Sequence, residues 1–115
     1  MYEYKANILR VVDGDTVDAN VDLGFGVFTV IRLRLMEINT EELTDKNIEK
    51  RAMAVAAKQR VENLLIEHGA HVVIRTVKDK KEKYGRYLAS IVLSNGACIN
   101  TLLVEEGLAQ KLVYE

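Results

Sequence analysis

The sequence predicts a mainly-β domain of the α+β class: a five-stranded Greek-key barrel with one long helix after the third strand and a short helix near the C-terminus. Three observations point there. Short apolar or alternating runs rich in β-branched residues recur along the 115-residue chain, separated by Gly- and Asn-containing turns. A single long stretch carries helical spacing instead. And 49% of the residues are apolar, enough for a packed core without covalent staples. The length suits one domain, expected to span residues 1–115, and no repeat, low-complexity tract or linker divides it.

The elements follow in order. Tyr4 to Val12 reads as a strand, and Asp13-Gly14 is a turn signal after it. Thr16 to Leu23 alternates, with Val17, Ala19, Val21 and Leu23 on one face and Asp18, Asn20 and Asp22 on the other, the pattern of a half-buried strand. Gly24-Phe25-Gly26 turns the chain into a third strand over Val27 to Ile38. On it Ile31, Leu33 and Leu35 share one face, and Arg32 and Arg34 share the opposite one. Asn39 to Asn47 reads as a polar loop. Beyond it Ala54, Ala57, Val61, Leu64 and Leu65 form one helical stripe, and Gly69 is placed to end the helix. His71 to Val77 is the fourth strand, Lys78 to Arg86 a charged loop, and Tyr87 to Leu93 the fifth strand. Ser94-Asn95-Gly96 turns out of it, and Ile99 to Glu106 is a short helix stopped by Gly107. This order suits the OB-type barrel.

Charge and cysteine content narrow the function classes. With 16 Lys and Arg against 17 Asp and Glu the formal net charge is −1. Bulk charge therefore does not drive non-specific nucleic-acid binding, and any grip on phosphates rests on local Lys and Arg clusters. Cys98 is the one cysteine, so no intrachain disulfide forms. No apolar stretch approaches membrane-spanning length. Met1 to Tyr4 show no basic stretch followed by an apolar run, so no secretion signal is expected in the given chain and its location stays unknown.

The run Val12-Asp13-Gly14-Asp15-Thr16 makes a turn and then gives Asp15 the strand parity of Val17 and Ala19. Its carboxylate is expected at the barrel side of a strand end, where it needs a partner or a metal. Isolated, the two aspartates read as ordinary turn residues. Further on stands Arg34-Leu35-Met36-Glu37-Ile38-Asn39-Thr40-Glu41-Glu42. Taken alone, Arg32 and Arg34 read as solvent-facing charges and Glu41-Glu42 as the acidic start of a loop.

Together with Lys83-Tyr84-Gly85-Arg86, Val61-Glu62-Asn63 and Gly107-Leu108-Ala109, these motifs resemble the staphylococcal nuclease (thermonuclease-like) family. The likeness runs from about Tyr4 to Ala109. It implies an OB-fold nuclease that uses calcium to hydrolyse DNA or RNA with little base specificity. Single-stranded DNA or RNA is the implied substrate, a 3′-phosphate the implied product end, and a monomer the expected state. Position by position, Asp15 would ligate the metal, with Thr40 offering its backbone carbonyl. Glu42 would orient or deprotonate the attacking water. Arg34 and Arg86 would bind the scissile phosphate, and Lys83 and Tyr84 a neighbouring one. The chemistry is coherent: guanidinium forks suit phosphate oxygens, a hard cation adds Lewis acidity, and a carboxylate takes the proton.

The sequence also departs from the family. Asn39 stands at the second metal-ligand Asp, so it brings an amide oxygen without charge, and Glu41 stands at a Pro. The set Asp15, Asn39 and Glu42 is thus a weaker metal site, a differently selective one, or a relic. Two readings stay open: a metal-dependent nuclease, or a catalytically weak or inactive nucleic-acid-binding module of the same fold. Arg32 matches no functional position and reads as a solvated charge. Lys78, Lys80 and Lys81 read as a hairpin tip. His68 and His71 lack the further ligands of a zinc site. Cys98 reads as a quiet, partly buried thiol, and Tyr114 lies near, though not at, the spacing of a base-covering tyrosine.

Overall fold

The computed structural model describes residues 2–81 and 85–112, and within the strand that ends the first segment the side chains of 78–81 are not described. Lys83, Tyr84 and Tyr114 lie outside the described residues. Five strands close a barrel in the order β1 (Tyr2–Asp13), β2 (Thr16–Asp22), β3 (Phe28–Leu35), β6 (Tyr87–Val92), β5 (His71–Lys81). All pairings are antiparallel except β3 with β6, which run parallel over Leu33 to Leu35. The predicted five-stranded, mainly-β architecture with one long and one short helix is the observed one. A small second sheet pairs β4 (Ile38–Asn39) with β7 (Gln110–Lys111).

Alternation fills the interior. Val17, Ala19 and Val21 from β2, Leu33 and Leu35 from β3, Ile74 from β5, and Ala89 and Ile91 from β6 are all essentially inaccessible to solvent. β1 shifts register between Ile8 and Arg10 and again between Val11 and Asp13. These irregularities bend the strand around the barrel and turn Leu9 outward, 53% exposed despite its apolar side chain.

Helix α1 (Ile48–His68) covers one end of the barrel. Its N-cap is Asn47, whose Oδ1 accepts from the N–H groups of Glu49 (2.9 Å) and Lys50 (3.2 Å), satisfying two donors the first turn leaves open. The stripe Ala54, Ala57, Val61, Leu64 and Leu65 is the buried face, as the spacing predicts. Gly69, at φ 92°, ends the helix. Helix α2 (Ile99–Glu105) buries Ile99, Asn100 and Leu103, and Arg60 of α1 reaches it with a two-pronged bond to Glu106 (2.7 and 3.0 Å).

Three boundaries differ from the sequence reading. The third strand does not run to Ile38: the chain leaves β3 after Leu35, and Glu37 takes a left-handed conformation (φ 63°) before β4 begins. Buried Asn100 bridges the break by donating to the carbonyls of Met36 (3.0 Å) and Ala89 (3.2 Å), while its Oδ1 accepts from the N–H of Ile91 (3.2 Å). The polar loop is shorter, since Asn39 belongs to β4. And β5 continues through Lys81, so the first four residues of the expected charged loop are strand. Leu23, expected on the inner face, lies beyond the end of β2 and is 44% exposed.

Candidate functional site

The site sits where β1, β2 and β3 meet the start of β4. The Asp13-to-Thr16 turn is held from below by Ala57 of α1 and from the side by Thr40. A methyl group on Gly14 would stand 2.7 Å from the Cβ of Ala57 and 3.1 Å from both Cγ2 and Oγ1 of Thr40. Gly14 is not among the residues at positive φ. Its role is close approach rather than backbone freedom, which is not what the Asp-Gly pair suggests in a sequence.

Asp15 is buried, 6% exposed, in the orientation its strand parity predicts. Its backbone is fixed by donation from Leu35 N–H to Asp15 O (2.8 Å) and from Asp15 N–H to Asp13 Oδ1 (3.0 Å). Its carboxylate accepts from Thr16 Oγ1 (3.1 Å) at one oxygen and from Thr40 N–H (3.2 Å) at the other. That second oxygen also lies 3.3 Å from Arg34 Nη1. Arg34 is largely sheltered beside it, its side chain 11% exposed. It donates to the carbonyl of Leu35 (2.9 Å) and to Asn39 Oδ1 (3.1 Å). Arg86 joins from the approach to β6, the strand beside β3: its Nη1 donates to Thr16 Oγ1 (3.2 Å), the same hydroxyl that donates to Asp15.

The folded chain thus brings Asp15, Arg34, Asn39, Thr40 and Arg86 into one network. Glu42 is exposed on the following loop, where its carbonyl accepts from Asp45 N–H (3.1 Å). The closing Gly107-Leu108-Ala109 segment supports the network indirectly. Gly107 (φ 75°) turns the chain, Leu108 and Ala109 donate to the carbonyl of Leu103 (2.9 and 3.1 Å), and Gln110 then pairs with Asn39. A cavity of about 100 Å³ lies between these residues and Asn39, Thr40 and Glu41.

Two members escaped sequence reasoning. Thr16 is the bridge between Asp15 and Arg86; its place in the Asp-Gly-Asp-Thr run is the signal that could have found it. Asp13, read as a turn residue, is half-buried beside Asp15 and pushed up to about 6, by burial first and then by the neighbouring carboxylate. Burial also acts upward on Asp15. There it is outweighed by the hydrogen bonds from Asp13, Thr40 and Thr16 and the charge of Arg34, so Asp15 is held below the usual carboxylate range. Arg32, by contrast, sits on the outer surface, its Nε and Nη2 bound to the two carboxylate oxygens of Asp18 (2.8 and 3.1 Å).

Whether the donor set fits a metal is a matter of its chemistry. Asp13, Asp15, the Asn39 amide and the Thr40 carbonyl are all hard oxygen donors, which suit calcium or magnesium rather than a thiophilic ion. The raised Asp13 carboxyl marks two acids crowded together, a condition a cation relieves. No cluster of three acidic, His or Cys residues exists among the described residues, so the negative charge available to a cation is modest.

A closed five-stranded barrel with two arginines and a buried carboxylate joined at one end defines an OB-type domain. Comparison with known proteins makes this specific. The family model for staphylococcal nuclease homologues matches residues 32–115, and the chain belongs to that family. Among curated proteins it is similar to Endonuclease YhcR of Bacillus subtilis (strain 168), 27% identical over 111 residues that cover 93% of this chain and 9% of that protein. It is also similar to an uncharacterized protein of Bacillus anthracis, 32% identical over 103 residues covering 90% of this chain and 45% of that protein. The chain spans less than half the length of either relative.

Proposed function

We propose that this domain hydrolyses phosphodiester bonds of single-stranded DNA or RNA, with calcium as its cofactor and little base specificity. The observation that carries the reading is the buried network linking the Asp15 carboxylate to Arg34 directly and to Arg86 through Thr16. Surface charges that only solubilise a barrel are not drawn into a shared, partly buried cluster.

The roles follow from the chemistry. Asp15, Asn39 and Thr40 would hold the cation through carboxylate, amide and carbonyl oxygens. Calcium, when bound, supplies Lewis acidity towards phosphate and makes water more acidic. Arg34 and Arg86 present guanidinium donors to the non-bridging phosphate oxygens, where negative charge grows in the transition state. To do so, Arg34 exchanges its hold on Asn39 or Asp15 for the phosphate. Glu42, exposed and adjacent in sequence to the Thr40 segment, takes the proton of the attacking water. Lys83 and Tyr84 hold the neighbouring phosphate and so place the scissile one.

A second reading has one observation in its favour. Arg34 is already met by three oxygens of the protein itself, those of Leu35, Asn39 and Asp15, and Asn39 adds no negative charge. Such a site can grip a phosphate without turning it over. Digestion of single-stranded DNA in millimolar calcium, repeated with a chelator and with the product ends identified, separates the two. Cleavage that leaves 3′-phosphates and stops on chelation supports the nuclease. Retention of labelled DNA with no cleavage supports the binding module.

A further inference from the structure

The outer face of the barrel over β2, β1 and β5 carries a polar row that the Asp15 network does not use. Asn7 of β1 is paired with Asn20 of β2 on one side and with His71 of β5 on the other. Their strand neighbours Ala6, Ile8, Ala19, Val21 and Val72 fill the core, so alternation turns all three outward. Adjacent strands lie about 4.8 Å apart, and the row from Asn20 to His71 therefore spans about 10 Å. The next outward row continues the pattern. There Lys5 stands beside Val73 and Val73 beside Val92. Asp22, one residue past the pairing of Val21 with Ala6, stands on the other side of Lys5.

These two rows line a cavity of about 650 Å³, a volume that suits a small-molecule site. It shares no residue with the network of Asp15, Arg34, Asn39, Thr40 and Arg86. Asn7 and Asn20 are half-buried. Yet among the described residues no hydrogen bond or ion pair engages the side chains of Lys5, Asn7, Asn20 or His71. Two amides, each a donor and an acceptor, thus face the cavity uncommitted. An apolar partner would strip water from them and return no hydrogen bond. A polyanion gains nothing here either, because Lys5 and Asp22 offset one another.

We propose that this face binds a neutral oligosaccharide bearing acetamido groups. Sugar hydroxyls both donate and accept, as the amides of Asn7 and Asn20 do, and the length of the row suits a disaccharide. An acetamido group matches the boundary between the two rows. Its N–H and C=O meet the asparagine amides, and its methyl lies against Val73 and Val92. Phe28 also lines the cavity and is 57% exposed, a flat apolar surface for the C–H face of a sugar ring. The polar groups stand on three paired strands, so the site exists before the ligand arrives.

Nuclear magnetic resonance titration of the whole chain with chitotetraose, in chelator, reads the site directly. It should move the side-chain amide signals of Asn7 and Asn20 and the backbone N–H signals of Lys5 and Val73, and leave those of Asp15 and Thr40 in place. Cellotetraose, the same chain of rings without acetamido groups, should bind about tenfold more weakly. Asn7→Ala and Asn20→Ala each remove a group with no protein partner, so each should weaken chitotetraose binding about tenfold with an unchanged circular dichroism spectrum. Chitotetraose that moves no signal, that moves those of Asp15 and Arg34 instead, or that binds no better than cellotetraose would overturn the proposal. So would undiminished binding in both alanine variants. Displacement of chitotetraose from Asn7 and Asn20 by a single-stranded oligonucleotide would also overturn it, and would give the face to nucleic acid.

Discussion

At the scale of single residues, the site is governed by how many negative charges surround one largely sheltered arginine. Asn39 occupies a place where a carboxylate would serve both Arg34 and a cation, and it offers a neutral amide oxygen instead. Replacing it by Asp adds an anionic donor. The gross Coulomb gain beside a divalent ion is several kcal/mol at an effective dielectric of about 20, much of it lost to desolvation and to repulsion from Asp15. Calorimetric titration should show Asn39→Asp binding calcium about tenfold more tightly, a net change on the order of 1–2 kcal/mol. Equal affinity in the two proteins would take Asn39 out of the metal shell.

Asp13 makes a second residue-scale test, through pH. Its folded-state pKa of about 6 lies above the ordinary 3.8. The folded protein therefore binds this proton more tightly than the unfolded chain. Stability from this group is full below pH 4 and falls as pH rises through 6. Asp15 is shifted the other way and loses its contribution only as pH falls below the ordinary carboxylate range. Asp13→Asn keeps the acceptor for Asp15 N–H but removes the titration. In chelator at pH 7 the variant should melt above the parent by about 4 °C, or about 1 kcal/mol once solvent screening of a half-buried group is allowed for. At pH 4 the advantage should vanish. Melting curves that stay parallel across this range would place the crowding of the two carboxylates elsewhere.

Among the elements, regular periodicity was legible and local exceptions were not. The α1 stripe and the β2 alternation are visible in the sequence because packing enforces one spacing over many residues. The end of β3 was hidden because a single left-handed Glu37 and a buried Asn100 replace the ladder there, and neither residue type announces it. The last part of β5 was hidden by its charges, and β7, two residues long, is below any period. Gly14 was visible as a glycine, but the reason for it was not. Its substitution tests how α1 and Thr40 press on the turn from Asp13 to Thr16. Gly14→Ala should cost roughly 1–3 kcal/mol, since the Cβ of Ala57 belongs to a helix that cannot yield locally. Ala57→Gly should restore part of the loss in thermal melts. If Ala57→Gly restores nothing, the turn does not rest on the helix as described.

On the scale of the whole molecule, residues distant in sequence make the site by barrel closure. Asp15 and Thr16 from the first hairpin, Arg34 from β3, Asn39 and Thr40 from β4, and Arg86 from the approach to β6 converge on one end. Asp15, Arg34 and Arg86 stood out beforehand because charged residues recur there in the order of a known family. Thr16 and Asp13 did not, because their part depends on neighbours that only the fold supplies. The same closure separates Arg34 from Arg32, two residues away on the same strand face, which ends on the surface in the grip of Asp18. That contrast gives the most direct test of the proposed phosphodiesterase centre. The measurement is the single-turnover rate on single-stranded DNA in saturating calcium for the parent, Arg34→Ala and Arg32→Ala, each with an unchanged circular dichroism spectrum. Arg34→Ala should lower the rate by orders of magnitude, because it removes charge that meets the transition state, while Arg32→Ala should leave it near that of the parent. A parent that cleaves while Arg34→Ala keeps pace with it, or with Arg32→Ala as the damaging change, would contradict the account.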